Sequence, residues 1–187
     1  SKGQAMAAYD PRGCKGMALT YATSPKGAHH MIATTMGPEI AGGTRLSYEN
    51  KGALQKENQL SMCAVDSLGM CSTLRGGFGM GDQARGFCLV TGIEMDIDGL
   101  KLAAERVITL ERMYNARLGF SRKDDTLPKR ILSEPVPSGP SAGETVDLER
   151  MLDEYYGLMG WSLDDGLPTR ERLEKLGLAD LTAARRK

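Results

Sequence analysis

Asp98-Gly99-Leu100-Lys101-Leu102-Ala103-Ala104-Glu105-Arg106-Val107-Ile108-Thr109-Leu110-Glu111-Arg112-Met113-Tyr114-Asn115-Ala116-Arg117-Leu118-Gly119 reads as a helix from end to end. Leu100, Ala103, Ala104, Val107, Ile108, Met113 and Tyr114 recur at the spacing of one helical face. Asp98 suits the N-cap, Arg117 complements the last turn, and Gly119 suits the left-handed residue just past the end. The same grammar repeats downstream. Val146, Leu148, Met151, Leu152, Tyr155, Tyr156 and Met159 form a second apolar stripe closed by Gly160. Thr169 caps a third, shorter helix that uses Leu173 and Leu176 and stops at Gly177. Upstream, Tyr48 to about Leu68 predicts one long helix with Gly52 as its main breaker. Alternating strand patterns are nearly absent. The fold expected is mostly α, an irregular helical domain with long Gly- and Pro-rich loops. Two stretches supply those loops. Leu127 to Gly143 contains Pro128, Pro135, Pro137 and Pro140, and residues 120–145 are the candidate boundary for a subdivision. Gly76 to Gly92 is glycine-rich and reads as a second loop.

Composition narrows the function classes. The chain has 187 residues, enough for one core. Aromatics make up only 5%, so Leu, Met, Ala, Ile and Val must build that core, with 11 methionines as adaptable fillers. Lys plus Arg equals Asp plus Glu at 24 each, so no global field favours nucleic acid or an anionic membrane. The terminal Arg185-Arg186-Lys187 reads as a solvated tail. Cys14, Cys63, Cys71 and Cys88 form no CxxC pair and are too few for a disulfide scaffold, which points to a reducing compartment. No apolar run approaches the roughly 20 residues needed to span a bilayer, and no leader pattern opens the chain. A cytoplasmic location is expected.

The chemistry-bearing segment is Asp66-Ser67-Leu68-Gly69-Met70-Cys71. An aspartate followed five residues later by a cysteine sets a hard acceptor and a soft ligand near one helix end. Gly69 lets the backbone turn closely there. The carboxylate can accept from the N–H groups of a heterocycle, and the thiolate can bind iron or another soft metal. Taken alone, the segment fits a helix-ending turn followed by a small apolar cysteine equally well.

Together with Asp10-Pro11-Arg12-Gly13 and Tyr21-Ala22-Thr23-Ser24-Pro25-Lys26-Gly27-Ala28-His29-His30, that segment resembles the C-terminal domain of the tungsten- or molybdenum-pterin aldehyde ferredoxin oxidoreductases. The resemblance continues, in order, through Glu111–Phe120, Asp124–Pro128, Glu154-Tyr155-Tyr156, Gly160-Trp161-Ser162, Gly166–Thr169 and Leu173–Leu178. It implies that Asp66 hydrogen-bonds a pterin and that Cys71 is one ligand of a [4Fe–4S] cluster. Met70, standing where the motif usually has leucine, contributes through its backbone, and Ser72 is another pterin contact. His30 matches a histidine near metal and substrate that transfers a proton or orients substrate. Lys26 replaces an arginine, keeping the cation but losing the bidentate fork. Ile32 stands where some members have a pterin-contacting lysine.

The implied activity is oxidation of an aldehyde to a carboxylic acid, with electrons passed through the cluster to ferredoxin or another electron-transfer protein. A reductase of aromatic acyl thioesters in the same family is the alternative, and a cofactor-free helical scaffold subunit is a second. Residues 1–187 are expected to form one C-terminal domain. The three closely spaced cysteines of a cluster-binding middle domain and a β-rich pterin-cradling domain do not occur in this sequence. The remaining domains of the same enzyme are therefore expected partners, with a homo-oligomer open, and the chain alone is expected to bind neither cofactor tightly and to be inactive.

Other features have plainer readings. His29 and His30, being adjacent, are not expected to face one site together. Asp124-Asp125 and Asp164-Asp165 read as loop or capping groups. Gly76-Gly77-Phe78-Gly79-Met80-Gly81 lacks the flanking strand and Lys-Ser/Thr of a phosphate loop. Cys14, Cys63 and Cys88 read as buried thiols.

Overall fold

The computed structural model describes residues 1–180; the basic stretch Arg185–Lys187 lies outside the described residues. Eight α-helices follow one another: α1 (Lys15–Thr23), α2 (Met36–Ala41), α3 (Lys51–Ser67), α4 (Met80–Thr91), α5 (Ile97–Arg117), α6 (Lys129–Ser133), α7 (Leu148–Met159) and α8 (Arg170–Lys175). Short 3₁₀ turns lie at His30–Ile32, Ser72–Gly76 and Arg122–Asp124. A single antiparallel bridge, Trp161 to Pro168, is the only β-pairing among the described residues. The mostly α reading therefore stands.

Helix α1 is buried on every side, which makes it the axis around which longer helices pack. Its Met17, Ala18, Leu19, Tyr21 and Ala22 join Leu60 of α3, Ala104 and Ile108 of α5, and Leu148, Met151, Leu152, Tyr155, Tyr156 and Met159 of α7 in one core. Leu127 and Ile131 from the proline-rich stretch, and Val146 just before α7, belong to the same cluster. Ala64, Ala84 and Leu100 form a second cluster that ties α4 to α3 and α5. Leu173, Leu176 and Leu178 seat α8 against Met113.

The helix ends share one device. At α3, the Met70 N–H donates to Val65 O (3.0 Å) and the Gly69 N–H to Asp66 O (3.1 Å), with Gly69 at φ +68°. This is the Schellman pairing, which satisfies the orphan carbonyls of a last turn and needs a left-handed residue. The ends of α5 at Gly119, α7 at Gly160 and α8 at Gly177 repeat the same two bonds, as the glycine spacing anticipates.

Several boundaries differ from the sequence reading. Helix α5 starts two residues earlier, because Asp96 rather than Asp98 caps it, accepting from the Gly99 N–H at 2.7 Å. The Gly76–Gly92 stretch is not a loop: α4 occupies Met80–Thr91. Asp82 accepts from the Gly79 N–H at 3.2 Å, and Ala84 is buried against α3 and α5. Packing outweighs the roughly 1 kcal/mol that each helical glycine costs relative to alanine. The Leu127–Gly143 stretch holds the five-residue α6 and is otherwise irregular. Asp124 caps the 3₁₀ turn, as expected of a capping group, accepting from Ser121 N at 2.8 Å. Asp125 is instead a buried ion-pair centre, 2.7 Å from Lys2 Nζ and 2.8 Å from Arg112 Nη1, and it accepts from the Tyr156 hydroxyl. Sequence gives no sign of this, because its partners lie 13 to 123 positions away. Asp164 and Asp165 sit in a turn, with Asp165 accepting from Leu167 N.

Gly52, a breaker by propensity, lies inside the first turn of α3 for a packing reason. A Cβ there would lie 2.7 Å from Tyr155 N and 2.9 Å from the Glu154 carbonyl carbon. Gly52→Ala would gain about 1 kcal/mol of helix propensity but force α3 away from α7, an overpacking cost of about 1–3 kcal/mol. The expected net result is a lower unfolding midpoint in denaturant. A raised midpoint would show that the two backbones do not meet at this position.

Candidate functional site

Three elements meet at an open cavity of about 250 Å³. The segment after α1 contributes Lys26 and Ile32, one face of α3 contributes Gln59, Cys63, Asp66 and Ser67, and α5 contributes Val107, Ile108 and Glu111. The spacing of 59, 63, 66 and 67 is that of one helical face, as is that of 107, 108 and 111. A second, wider groove of about 530 Å³ adjoins it, lined by Pro25, Lys26, Leu110, Glu111, Met113, Tyr114, Asn115 and Arg117.

Two of the expected site residues, Lys26 and Asp66, therefore share a cavity. Ile32 shares it too, so an apolar side chain occupies part of its wall. His30 begins the 3₁₀ turn of the Lys26 segment. Its ring lies 5.4 Å from Tyr9 and 5.6 Å from His29. The two rings stay side by side where His29 ends an extended stretch and the tight turn begins. His29 Nδ1 is buried with no hydrogen-bond partner among the described residues. Burial lowers the His29 pKa, the charges of Lys26 and His30 lower it further, and Asp66 opposes them.

Met70, Cys71 and Ser72 follow the end of α3 on another side. Met70 lines a separate hollow of about 440 Å³ with Thr73, Leu74, Gly77 and Phe78. Ser72 opens the 3₁₀ turn and is half-buried. The Cys71 thiol is exposed, with Thr73 Oγ1 at 3.0 Å. That contact and the Thr73 backbone hold its pKa below the usual thiol value. The other cysteines differ. Cys14 is buried and donates to Glu39 at 3.0 Å, and burial next to that carboxylate pushes its pKa up to about 12. Burial pushes Cys63 up to about 11. Cys88 is half-buried and closes the turn between α4 and α5, accepting from Met95 N at 3.1 Å. Among the described residues, no group of three or more His, Cys, Asp or Glu side chains is arranged to hold a metal ion.

Sequence reasoning does not single out Glu111 or Gln59. Helical spacing could have grouped Glu111 with Val107 and Ile108, and Gln59 with Cys63 and Asp66. Which helical faces meet is decided only by packing. Glu111 reaches solvent but is crowded by protein; that desolvation raises its pKa, Lys26 lowers it and Asp66 raises it again.

The family described as aldehyde ferredoxin oxidoreductase, domains 2 and 3, matches residues 1–178. The chain belongs to the aldehyde ferredoxin oxidoreductase family. The tungsten-containing aldehyde ferredoxin oxidoreductase of Pyrococcus furiosus is 36% identical over 179 residues, covering 92% of this chain and 29% of that protein. The protein of the same name from Pyrococcus horikoshii is 35% identical over 185 residues, covering 96% of this chain and 30% of that one. Among solved structures, the active site complex BamBC of benzoyl coenzyme A reductase with 1,5-dienoyl-CoA is similar, with a TM-score of 0.62 and 30% identity. That similarity covers 73% of this chain and 20% of the other. The chain thus spans less than a third of the length of the family members it matches. No helix among the described residues is long and apolar enough to cross a membrane.

The contrast between thiols is directly measurable. Iodoacetamide at mildly alkaline pH should label Cys71 first, since the thiolate is the nucleophile, with Cys63 and Cys14 labelled only at higher pH. Peptide mass spectrometry across a pH series reads the order, and earlier labelling of Cys14 or Cys63 would contradict the exposure assigned to Cys71.

Proposed function

We propose that residues 1–187 are the C-terminal α-helical domain of a tungsten- or molybdenum-pterin enzyme that oxidises an aldehyde to a carboxylic acid. The carrying observation is the family match over residues 1–178, joined to a cavity where Lys26 and Asp66 stand together. The cavity's donor set fits a polar heterocycle. Asp66 offers a carboxylate for ring N–H and amino donors, and Lys26 offers a cation for an anionic or carbonyl oxygen. Met70 through its backbone and Ser72 through its hydroxyl complete the contacts from this chain.

Cys71 fits one ligand of a [4Fe–4S] cluster: the thiol is exposed and its pKa is depressed, so its thiolate is available. One thiolate does not hold four irons. The reading therefore requires partner residues, taken to be a cluster-binding middle domain and a pterin-cradling N-terminal domain of the same enzyme. When bound, the metal–pterin supplies the two-electron chemistry and the cluster the route to ferredoxin. Overall, aldehyde and water yield carboxylic acid, two protons and two electrons. His30 is the group of this chain that takes or returns a proton at the reacting oxygen, directly or through one water. Cys71, five residues beyond Asp66, links the pterin contact to the electron path. A cytoplasmic location and a possible homo-oligomer follow the family reading.

One observation favours a second substrate class. The likeness to a benzoyl coenzyme A reductase complex at 30% identity makes an aromatic acyl thioester the alternative substrate, with the same residues in the same roles.

The test uses the full-length polypeptide that carries this chain. His30→Ala should lower aldehyde-dependent dye reduction on the order of 10²-fold with metal content unchanged. Loss of metal instead would make His30 a structural residue. Cys71→Ala should deplete iron, and full iron content in that variant would remove Cys71 from the cluster. Residues 1–187 expressed alone should bind neither group. Stoichiometric tungsten or molybdenum with four irons on that fragment would refute the domain assignment.

A further inference from the structure

We propose that Glu111 is a second carboxylate of the ligand cavity, set opposite Asp66 across Lys26, and that a bound heterocycle is held between the two. The inference rests on reading the cavity as a pterin contact and deepens it. Lys26 and Glu111 are the two residues common to the 250 Å³ cavity and the adjoining 530 Å³ groove. They therefore form the sill over which any ligand spanning both must pass. Asp66 approaches that sill from the end of α3, and Glu111 approaches it from the middle of α5.

The three charges are uncommitted. Among the described residues, the side chains of Lys26, Asp66 and Glu111 form no hydrogen bond and no direct ion pair. The fully buried charges, by contrast, are paired: Glu39 binds Lys51 at 2.6 Å, and Asp125 binds Lys2 and Arg112. Two carboxylates and an ammonium gathered at one opening, without pairing, suit a ligand that brings both donors and acceptors. A planar nitrogen heterocycle with ring N–H and amino groups does so. Its donors face the carboxylates, and an oxygen acceptor faces Lys26. The raised pKa of Glu111 is consistent, since a carboxylate crowded by protein and by Asp66 gains from a bound donor. The flanking Leu110, Met113 and Tyr114 offer the apolar surface on which a flat ring lies.

Glu111→Gln keeps the shape and removes the charge. In the full-length polypeptide, the pterin released and oxidised to its fluorescent form should fall on the order of ten-fold per chain, the effect of losing one charge-assisted hydrogen bond. The melting temperature of the cofactor-stripped polypeptide should be unchanged, because Glu111 has no structural partner. Asp66→Asn is measured alongside. Wild-type pterin in Glu111→Gln with depletion in Asp66→Asn overturns the proposal and leaves the cavity reading standing. Wild-type pterin in both variants overturns the cavity reading itself. Depletion in Glu111→Gln together with a lowered melting temperature of the stripped polypeptide assigns Glu111 a structural role and also overturns the proposal.

Discussion

Everything around the site depends on how closely α3 can approach α7. Helix α3 begins after Asn50, a left-handed residue whose side chain makes no cap. Its first free N–H groups are satisfied from outside the helix: Glu154 of α7 accepts from Gly52 N at 2.9 Å and Ala53 N at 3.2 Å. That carboxylate also complements the positive end of the helix dipole. The contact works only because Gly52 has no Cβ, so the two backbones nearly touch. From this anchor α3 runs along α1, α5 and α7, and its far end delivers Asp66 and the turn to Cys71. Buried glutamines maintain the alignment on the way: Thr20 of α1 donates to Gln55 at 2.6 Å, and the Tyr155 hydroxyl of α7 donates to Gln59.

Charges are used in two distinct ways in this domain. Glu39 and Asp125 are fully buried and fully partnered. Glu39 takes Lys51, the Gly16 N–H at 2.9 Å and the Cys14 thiol, joining the start of α1 to α2 and α3. Asp125 ties Lys2, Arg112 and Tyr156 together, while the Arg112 guanidinium lies 5.1 Å from the Trp161 ring centroid. Removing one partner of such a pair would strand a buried charge, at about 3–5 kcal/mol, so these groups serve as rivets. Lys26, Asp66 and Glu111 are the opposite case, open to solvent and unpaired. Three unpaired charges lining one mouth are what the proposed ligand would meet there.

At that mouth Lys26 offers a compact ammonium without a planar fork, and Ile32 adds apolar wall. With fewer fixed donors on this side, acceptor groups count for more, which is the setting in which Glu111 matters. The exposed Cys71 and the separate hollow beside Met70 follow the end of α3, consistent with a surface completed by other parts of the enzyme.

Much of this was legible in the sequence because the signals are local. A 3.6-residue apolar period, a threonine cap at Thr169 and glycines at 119, 160 and 177 specify helices and their ends through bonds between residues three to five apart. Asp66 and Cys71 were legible for the same reason, being one motif on one turn. Helix α4 was misread because glycine propensity is a weak local term that burial of Ala84 against two other helices outweighs. Asp125 and Glu111 were invisible as core or site groups for a related reason. Their partners or neighbours come from distant segments, and an amphipathic pattern says that a face is buried without saying against what. The sequence by itself determined α3, α5, α7 and α8, the stops of those helices and the family motif. Only the tertiary structure decided which faces meet, and therefore which charges are buried as rivets and which are left open at the cavity, because that choice follows from long-range packing that no local pattern encodes.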